Sequence, residues 1–408
     1  MSSLHIAVIG GGAAGFFGAI TAAETFPDAH VTILEKNRTV LNKVRISGGG
    51  RCNVTHACFD NRQLLKHYPR GEKTLKNLLP TFDASATVRW FEDRGVRLKT
   101  EADGRMFPTT NTSETIVNCL LDTARQLNIN VRTSCGVDTL THDPRGCWQL
   151  HLLTGESITA DRVLIATGGY PQLPAYGWLP EQAEPLIFPV PSLFTFNVPD
   201  SFLLPLAGVA VPDAQVSVTG TKQAQRGPVL LTHWGFSGPA VLRLSAWAAR
   251  ELAERNYQFT LRINWTPTLN DNTLRAALQA FRQQNGRKQV VSQNPFGLPS
   301  RLWTALASES GITDTQRWAD LPAKPLSRLA ERLINSQFEV VGKSTFKEEF
   351  VTCGGVAPGG LHPDTLESRS HPGLFFAGEV LDVDGITGGF NFQNAWTTGY
   401  VAGRHIGN

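Results

Sequence analysis

The chain has 408 residues, 41% of them hydrophobic and 18% charged, with a formal net charge of +3 and a pI near 8.5. That length supports two or three domains around a large core, and no apolar run reaches the ~18 residues of a membrane span. The mildly basic balance neither requires nor excludes nucleic acid. Six cysteines, at 52, 58, 119, 135, 147 and 353, show no C-x-x-C spacing, which argues against a zinc site and for a reduced cytoplasmic protein. The first apolar strand begins almost at once, leaving no room for a signal peptide.

That strand, Leu4 to Ile9, runs into Gly10-Gly11-Gly12-Ala13-Ala14-Gly15, a G-x-G-x-x-G match. An Ala-rich helical pattern over Phe16–Thr25, a Pro27-Asp28 turn and a second strand, His30–Leu34, lead to Glu35, twenty positions after Gly15. This is a dinucleotide-binding βαβ order. Gly10 permits the turn, Gly12 lets a pyrophosphate approach the backbone, and Gly15 lets the helix pack close to the sheet. The helix N-terminus offers N–H groups to phosphate. Glu35 can accept from ribose hydroxyls and would repel a 2′-phosphate, so FAD or NAD fits and NADP does not. Lys36 follows it as a further cofactor-binding candidate.

A second glycine-rich stretch decides for FAD. Lys43, Arg45, Ser47, Gly48, Gly49, Gly50, Arg51, Cys52 and Asn53 form a loop for which a simple NAD dehydrogenase has no use. Backbone N–H groups there can face a ligand, and the three cations can neutralise phosphate or a reduced flavin. Cys52 is either chemically active or a small residue packed beside the cofactor. The stretch Ile6–Thr55, with its Ser-Gly-Gly-Gly-Arg-Cys-Asn-Val-Thr run, resembles the HI0933-like flavoproteins. The resemblance implies an FAD-dependent oxidoreductase with NAD(P)H as a candidate electron donor. His56 stands where that family carries Asn.

Between 60 and 130 helices are expected, one of them capped by Asp83 and stopped by Gly95, another over Asn111–Leu127 with Asn111 and Glu114 as a capping box. Gly104-Arg105-Met106-Phe107-Pro108 resembles a family motif. Arg105 there either faces the substrate or forms a hairpin tip. Strands follow at Val131–Thr133, Cys147–Leu153 and Ser157–Ala160. Val137 is counted among the cofactor-binding positions. The strand Arg162–Ile165 runs into Ala166-Thr167-Gly168-Gly169, which resembles a second FAD-contacting element. The family's glycine-rich continuation is replaced by Tyr170–Trp178.

From about 186 to 340 the pattern suggests an inserted β-rich domain, with strands at Gln215–Val218, Val229–Leu231 and Gln258–Ile263. A helical subdomain over about 268–335 is broken at Ser292–Pro299. Thr232-His233-Trp234-Gly235-Phe236-Ser237-Gly238-Pro239 resembles a further family motif. His233 is either the acid/base group or a residue that buttresses a turn. Arg243, Arg250, Arg255 and Arg262 make either a phosphate-binding surface for RNA or an ordinary solvated face.

The chain returns to the first domain through strands at Gln337–Val341 and Glu349–Thr352. Near Cys353–Val356, where the family carries an acid a few positions on, this chain has Gly359-Gly360. An apolar strand then ends at Gly378-Glu379 and resembles the closing FAD motif. Asp384, Gly385, Gly388, Gly389, Phe390, Asn391 and Phe392 open the last helix, whose N-terminus can meet the flavin.

The expected fold is thus α/β: a doubly wound, Rossmann-like FAD-binding domain from 1–185 and 341–408, with 186–340 inserted. No second G-x-G-x-x-G lies between 170 and 340, so a nicotinamide donor would bind without a Rossmann domain of its own. His233, Arg51 and Cys52 are the catalytic candidates, and no metal is expected. A small-molecule substrate is the leading reading. Reduction of a uridine in ribosomal RNA and a non-catalytic FAD-binding role are the alternatives. No membrane or obligate protein partner is evident.

Overall fold

A computed structural model describes residues 3–143, 146–180, 184–344 and 351–408. Two compact units emerge, residues 1–191 with 346–408, and residues 192–345. The expected boundaries, at 185 and 341, lie a few residues to the N-terminal side of both.

The first unit is built on a five-stranded sheet in the order Leu374–Phe376, Arg162–Ile165, His5–Ile9, His30–Leu34, Asn130–Arg132, with every pair parallel. Such strands are covered on both faces, which is why they read as unbroken apolar runs. Val8 lies between Leu164 and Ile33 in register. The helix Ala13–Thr25 is buried almost continuously from Ala14 to Ala23, consistent with a helix apolar all round. It packs on the last helix, Phe390–His405. A Cβ on Gly403 would fall 2.3 Å from the Gly18 carbonyl oxygen, and one on Gly399 2.7 Å from that of Ala14. These small residues let the two backbones touch. Phe16, Phe17 and Ile20 are fully buried beside them, each worth roughly 1.5–3 kcal/mol of burial.

Three smaller sheets complete this unit. Val137–His142, Trp148–Leu152 and Ser157–Ala160 form an antiparallel meander. Leu98–Thr100, Arg105–Pro108 and Thr55–His56 form another sheet, so a hairpin interrupts the region expected to be helical. Leu186–Ser192 pairs with Val351–Val356. Of the strand expected at Glu349–Thr352, Glu349 and Phe350 lie outside the described residues.

Asp83 caps the helix Ala84–Glu92, accepting from the Ala86 N–H at 2.8 Å. The expected capping box at Asn111 is not formed. Asn111 adopts φ +57°, and the helix begins at Glu114 behind Ser113, whose side chain makes no cap. The Glu114 carboxylate pairs instead with Arg45.

The second unit is a seven-stranded antiparallel sheet. Its order is Ser336–Val340, Phe259–Asn264, Ala210–Val218, Ala224–Thr232, Gly235–Ser237, Thr195–Asn197, Gly342–Ser344. Helices Asp271–Asn285, Ser300–Glu309 and Ala323–Asn335 share its core around Trp303 and Trp318.

Candidate FAD site

Within the first unit, four glycine-bearing segments that are far apart in sequence meet. The turn after the first strand is tight: Gly10 has φ +113°, and a Cβ there would lie 2.4 Å from the Ala166 carbonyl oxygen. The first loop therefore touches Ala166-Thr167-Gly168-Gly169. Gly169 in turn faces Thr352 and Glu379, whose atoms would lie 2.3 and 3.2 Å from its Cβ. Glu379 accepts from Lys43 Nζ at 2.7 Å, which reaches the second glycine loop. Asn53 of that loop, with its amide oriented to satisfy both contacts, accepts from the Gly389 N–H at 2.9 Å and donates to the Thr55 carbonyl at 3.0 Å. Gly378 closes the ring, with a Cβ 2.7 Å from that of Ala14.

A Cβ placed on Gly12, Gly49, Gly50 or Gly168 would meet nothing within 4 Å. These backbone faces look into empty space, while Gly10, Gly15 and Gly389 are pressed against protein. A Cβ on Gly15 would lie 1.9 Å from the Gly10 carbonyl oxygen, a packing role distinct from Gly12's open cradle. Open glycine faces and two helix N-termini, at Ala13 and Phe390, fit a long phosphate-bearing cofactor such as FAD.

The carboxylates have more protein partners than the sequence could reveal. Glu35 is buried. Its Oε2 accepts from the Gly11 N–H at 2.8 Å, and its Oε1 from the Asn37 N–H at 2.8 Å and the Asn37 amide at 2.6 Å. One lone-pair position of about four is left for a ribose hydroxyl, not room for both. Lys36 is exposed, and its Cβ lies beside Gly136, next to Val137. Its Nζ is 5.3 Å from the Tyr170 ring centroid. Glu379 is held at its second oxygen by the Thr352 N–H at 2.9 Å. Among the described residues the Thr352 hydroxyl, fully buried beneath Gly169, has no hydrogen-bond partner.

The three loop cations are each matched. Lys43 meets Glu379, Arg45 meets Glu114, and Arg51 Nη1 meets Glu101 at 2.7 Å. Ser47 donates to the Val44 carbonyl at 3.0 Å and accepts from the Cys52 N–H at its own carbonyl, pinning the loop's sharp left-handed run Gly48–Gly50. Cys52 is fully buried, and burial pushes its thiol up to about 12, the setting of a small residue packed within the loop.

Asp384 meets a cation of the chain itself. It is buried and forms a two-pronged ion pair with Arg70. Asn391 accepts from the Gly385 N–H and donates to the Gly385 carbonyl, fixing the turn before the last helix. The Phe390 ring is buried between His56 and His67, at centroid distances of 4.8 and 4.4 Å. Any contact Phe390 makes to a cofactor is therefore through its N–H. Phe392 stacks on Trp396. The Gly389 N–H is already taken by Asn53, so the helix offers the N–H groups that follow it, and Gly388 precedes them at φ +126°.

Arg105 is the hairpin residue, paired with Asp103 and Glu101. His56 fills the motif's Asn position with its Nε2 3.1 Å from the Asp103 carbonyl. Burial lowers its pKa, with the Asp103 hydrogen bond opposing.

In the second unit, His233 is exposed at the two-residue turn between Thr232 and Gly235. Its neighbours hold that turn: Thr232 Oγ1 accepts from the Gly235 N–H at 3.1 Å, and Trp234 donates to Thr195 at 3.2 Å. Among the described residues the ring itself forms no hydrogen bond, so it is displayed and does not buttress the turn. Sequence reasoning missed Asn37, Glu101 and Thr352. Only Asn37, two residues after Glu35, carried a local signal.

This parallel sheet with its converging glycine loops defines a Rossmann-type FAD-binding fold, of the class used by FAD-dependent oxidoreductases. The chain belongs to the HI0933-like family: the model described as "HI0933-like protein Rossmann domain" matches residues 4–405. It is 29% identical, over 98% of both chains, to the 3-dehydro-bile acid delta(4,6)-reductase of Clostridium scindens. It is 28% identical to the ribosomal RNA dihydrouridine synthase of Escherichia coli K12, over 100% of this chain and 98% of that one. Among solved structures, the 3-ketosteroid delta1-dehydrogenase of Sterolibacterium denitrificans shares the fold. It has a TM-score of 0.50 at 12% identity, with 98% of each chain covered. Among the described residues no helix is long and apolar enough to cross a membrane.

Proposed function

We propose that this chain is an FAD-dependent reductase of a carbon–carbon double bond conjugated to a carbonyl in a small molecule. The observation that carries the reading is the meeting of four glycine-bearing segments in one unit, with the faces of Gly12, Gly49, Gly50 and Gly168 unobstructed and two helices starting among them. The two curated relatives support the bond type, because a keto-conjugated steroid alkene and the uracil ring both present such a bond.

When bound, FAD supplies two electrons as hydride. The chain's residues orient and screen. Glu35 would take one ribose hydroxyl, and the N–H groups at Ala13 and after Gly389 would face anionic oxygens. Reduction of such a bond would need the hydride at the carbon β to the carbonyl and a proton at the α carbon. NAD(P)H is the proposed electron donor.

Of the four arginines that could meet RNA phosphate, two are engaged by the protein itself. Arg243 is partly buried, which lowers its pKa, and it donates to the Arg226 carbonyl at 2.5 Å. Arg255 donates to the Thr219 carbonyl at 3.4 Å. Neither side chain is left wholly to phosphate.

The test is anaerobic mixing of FAD-loaded protein with NADH and NADPH, followed by an enone or a uridine-containing RNA. Loss of the flavin band near ~450 nm, and its return with the enone, is expected. No bleaching by either nucleotide removes the nicotinamide donor. A cofactor that no donor reduces makes the chain a non-catalytic flavin binder. Return with RNA alone moves the substrate to nucleic acid.

A further inference from the structure

Of the three cations on the second glycine loop, Arg51 is held differently. Its partner Glu101 is shared: Oε1 accepts from Arg51 Nη1 at 2.7 Å and Oε2 from Arg105 Nη2 at 3.2 Å. Both guanidinium groups lie over the Phe107 ring, 4.1 and 5.4 Å from its centroid. Phe107 in turn supports the loop, since a Cβ on Gly48 would lie 2.9 Å from its ring. Arg51 Nε also donates to the Gly48 carbonyl at 3.3 Å. Arg105 has a second carboxylate, Asp103, at 2.8 Å. Among the described residues, Glu101 is the one carboxylate paired with Arg51. Arg51 follows directly on Gly49 and Gly50, whose backbone faces open to empty space.

We propose that Glu101 is a positioning residue that holds the Arg51 charge and so sets the electrostatic potential the second glycine loop presents to the cofactor. The inference rests on the FAD reading above. Neutralising Glu101 leaves Arg105 still paired with Asp103 but leaves Arg51 uncompensated. An unmatched positive charge in a partly desolvated loop favours the more negative, reduced state of a bound redox group. Glu101 therefore keeps the midpoint potential low, and Arg51 is the group through which it acts.

The experiment is a reductive titration against reference dyes of FAD-loaded wild type, Glu101→Gln, Glu101→Asp, Arg51→Gln and the double variant Glu101→Gln/Arg51→Gln. The midpoint is expected to rise in Glu101→Gln, to stay near wild type in Glu101→Asp, to fall in Arg51→Gln, and to return towards wild type in the double variant. Loss of a merely structural contact would change thermal stability without this pattern. Flavin bound with an unmoved potential in Glu101→Gln and Arg51→Gln overturns the inference and leaves the FAD reading intact. Should Glu101→Gln not fold, Arg51→Gln decides alone, a lowered midpoint supporting the inference and an unchanged one overturning it. A wild type that takes up no FAD contradicts the FAD reading itself.

Discussion

Gly10 and Gly12 are two residues apart and have opposite surroundings. Gly10→Ala would force a side chain to φ +113° with its Cβ 2.4 Å from a carbonyl oxygen. It should destabilise the protein by about 1–3 kcal/mol, read as a lowered thermal midpoint. Gly12→Val meets empty space at a φ of −93°. It should leave the melting temperature near wild type and abolish FAD binding. Cys52 gives a pH prediction. Its thiol is held protonated in the folded chain up to about 12, against a reference of 9.0. Between those values the unfolded thiol loses its proton and the folded one does not. Its contribution to stability is therefore complete below pH 9 and falls as pH rises towards 12. Denaturant unfolding of wild type and Cys52→Ala across that window should show the wild type losing more stability. Within the native fold at pH 8, Cys52 should resist alkylation while the partly exposed Cys58 reacts.

At the scale of elements, what was legible was what neighbours in sequence decide. The order of strand, glycine loop, helix, strand and acid was readable over thirty-five residues because each signal is local: an apolar run, a left-handed turn, a cap. Asp83 belongs with these, and Asp83→Ala should cost about 1 kcal/mol in a thermal melt. Asn111 had the spacing of a cap but not the role, because Ser113 and Glu114 are drawn to the second glycine loop by contacts with Gly50 and Arg45. Asp384 looked like a ligand residue because it stands beside glycines. Its partner, Arg70, is 314 positions away, and no periodicity carries that information. Arg70→Ala strands a buried carboxylate and should destabilise by about 3–5 kcal/mol, measured by denaturant unfolding. The partners of Lys43, Arg45 and Arg51 were hidden for the same reason. A motif displays its cations, while the acids that neutralise them arrive through the fold.

At the scale of the molecule, both ends of the chain build one parallel sheet, and the residues between them build a separate antiparallel one. The candidate cofactor residues fall in the first unit and the displayed His233 in the second. Cofactor binding is therefore testable by mutations confined to the first unit. His233→Gln, in the second unit, should bind FAD as the wild type does, measured by flavin absorbance. The account rests on FAD occupying the space faced by Gly12, Gly49, Gly50 and Gly168. The most direct test is titration of wild type and Gly12→Val with FAD, followed by flavin absorbance and by thermal melting in the absence of cofactor. The account predicts saturable one-to-one binding by the wild type, and none by a variant that melts like it. Equal binding by both proteins, or none by the wild type, would contradict it.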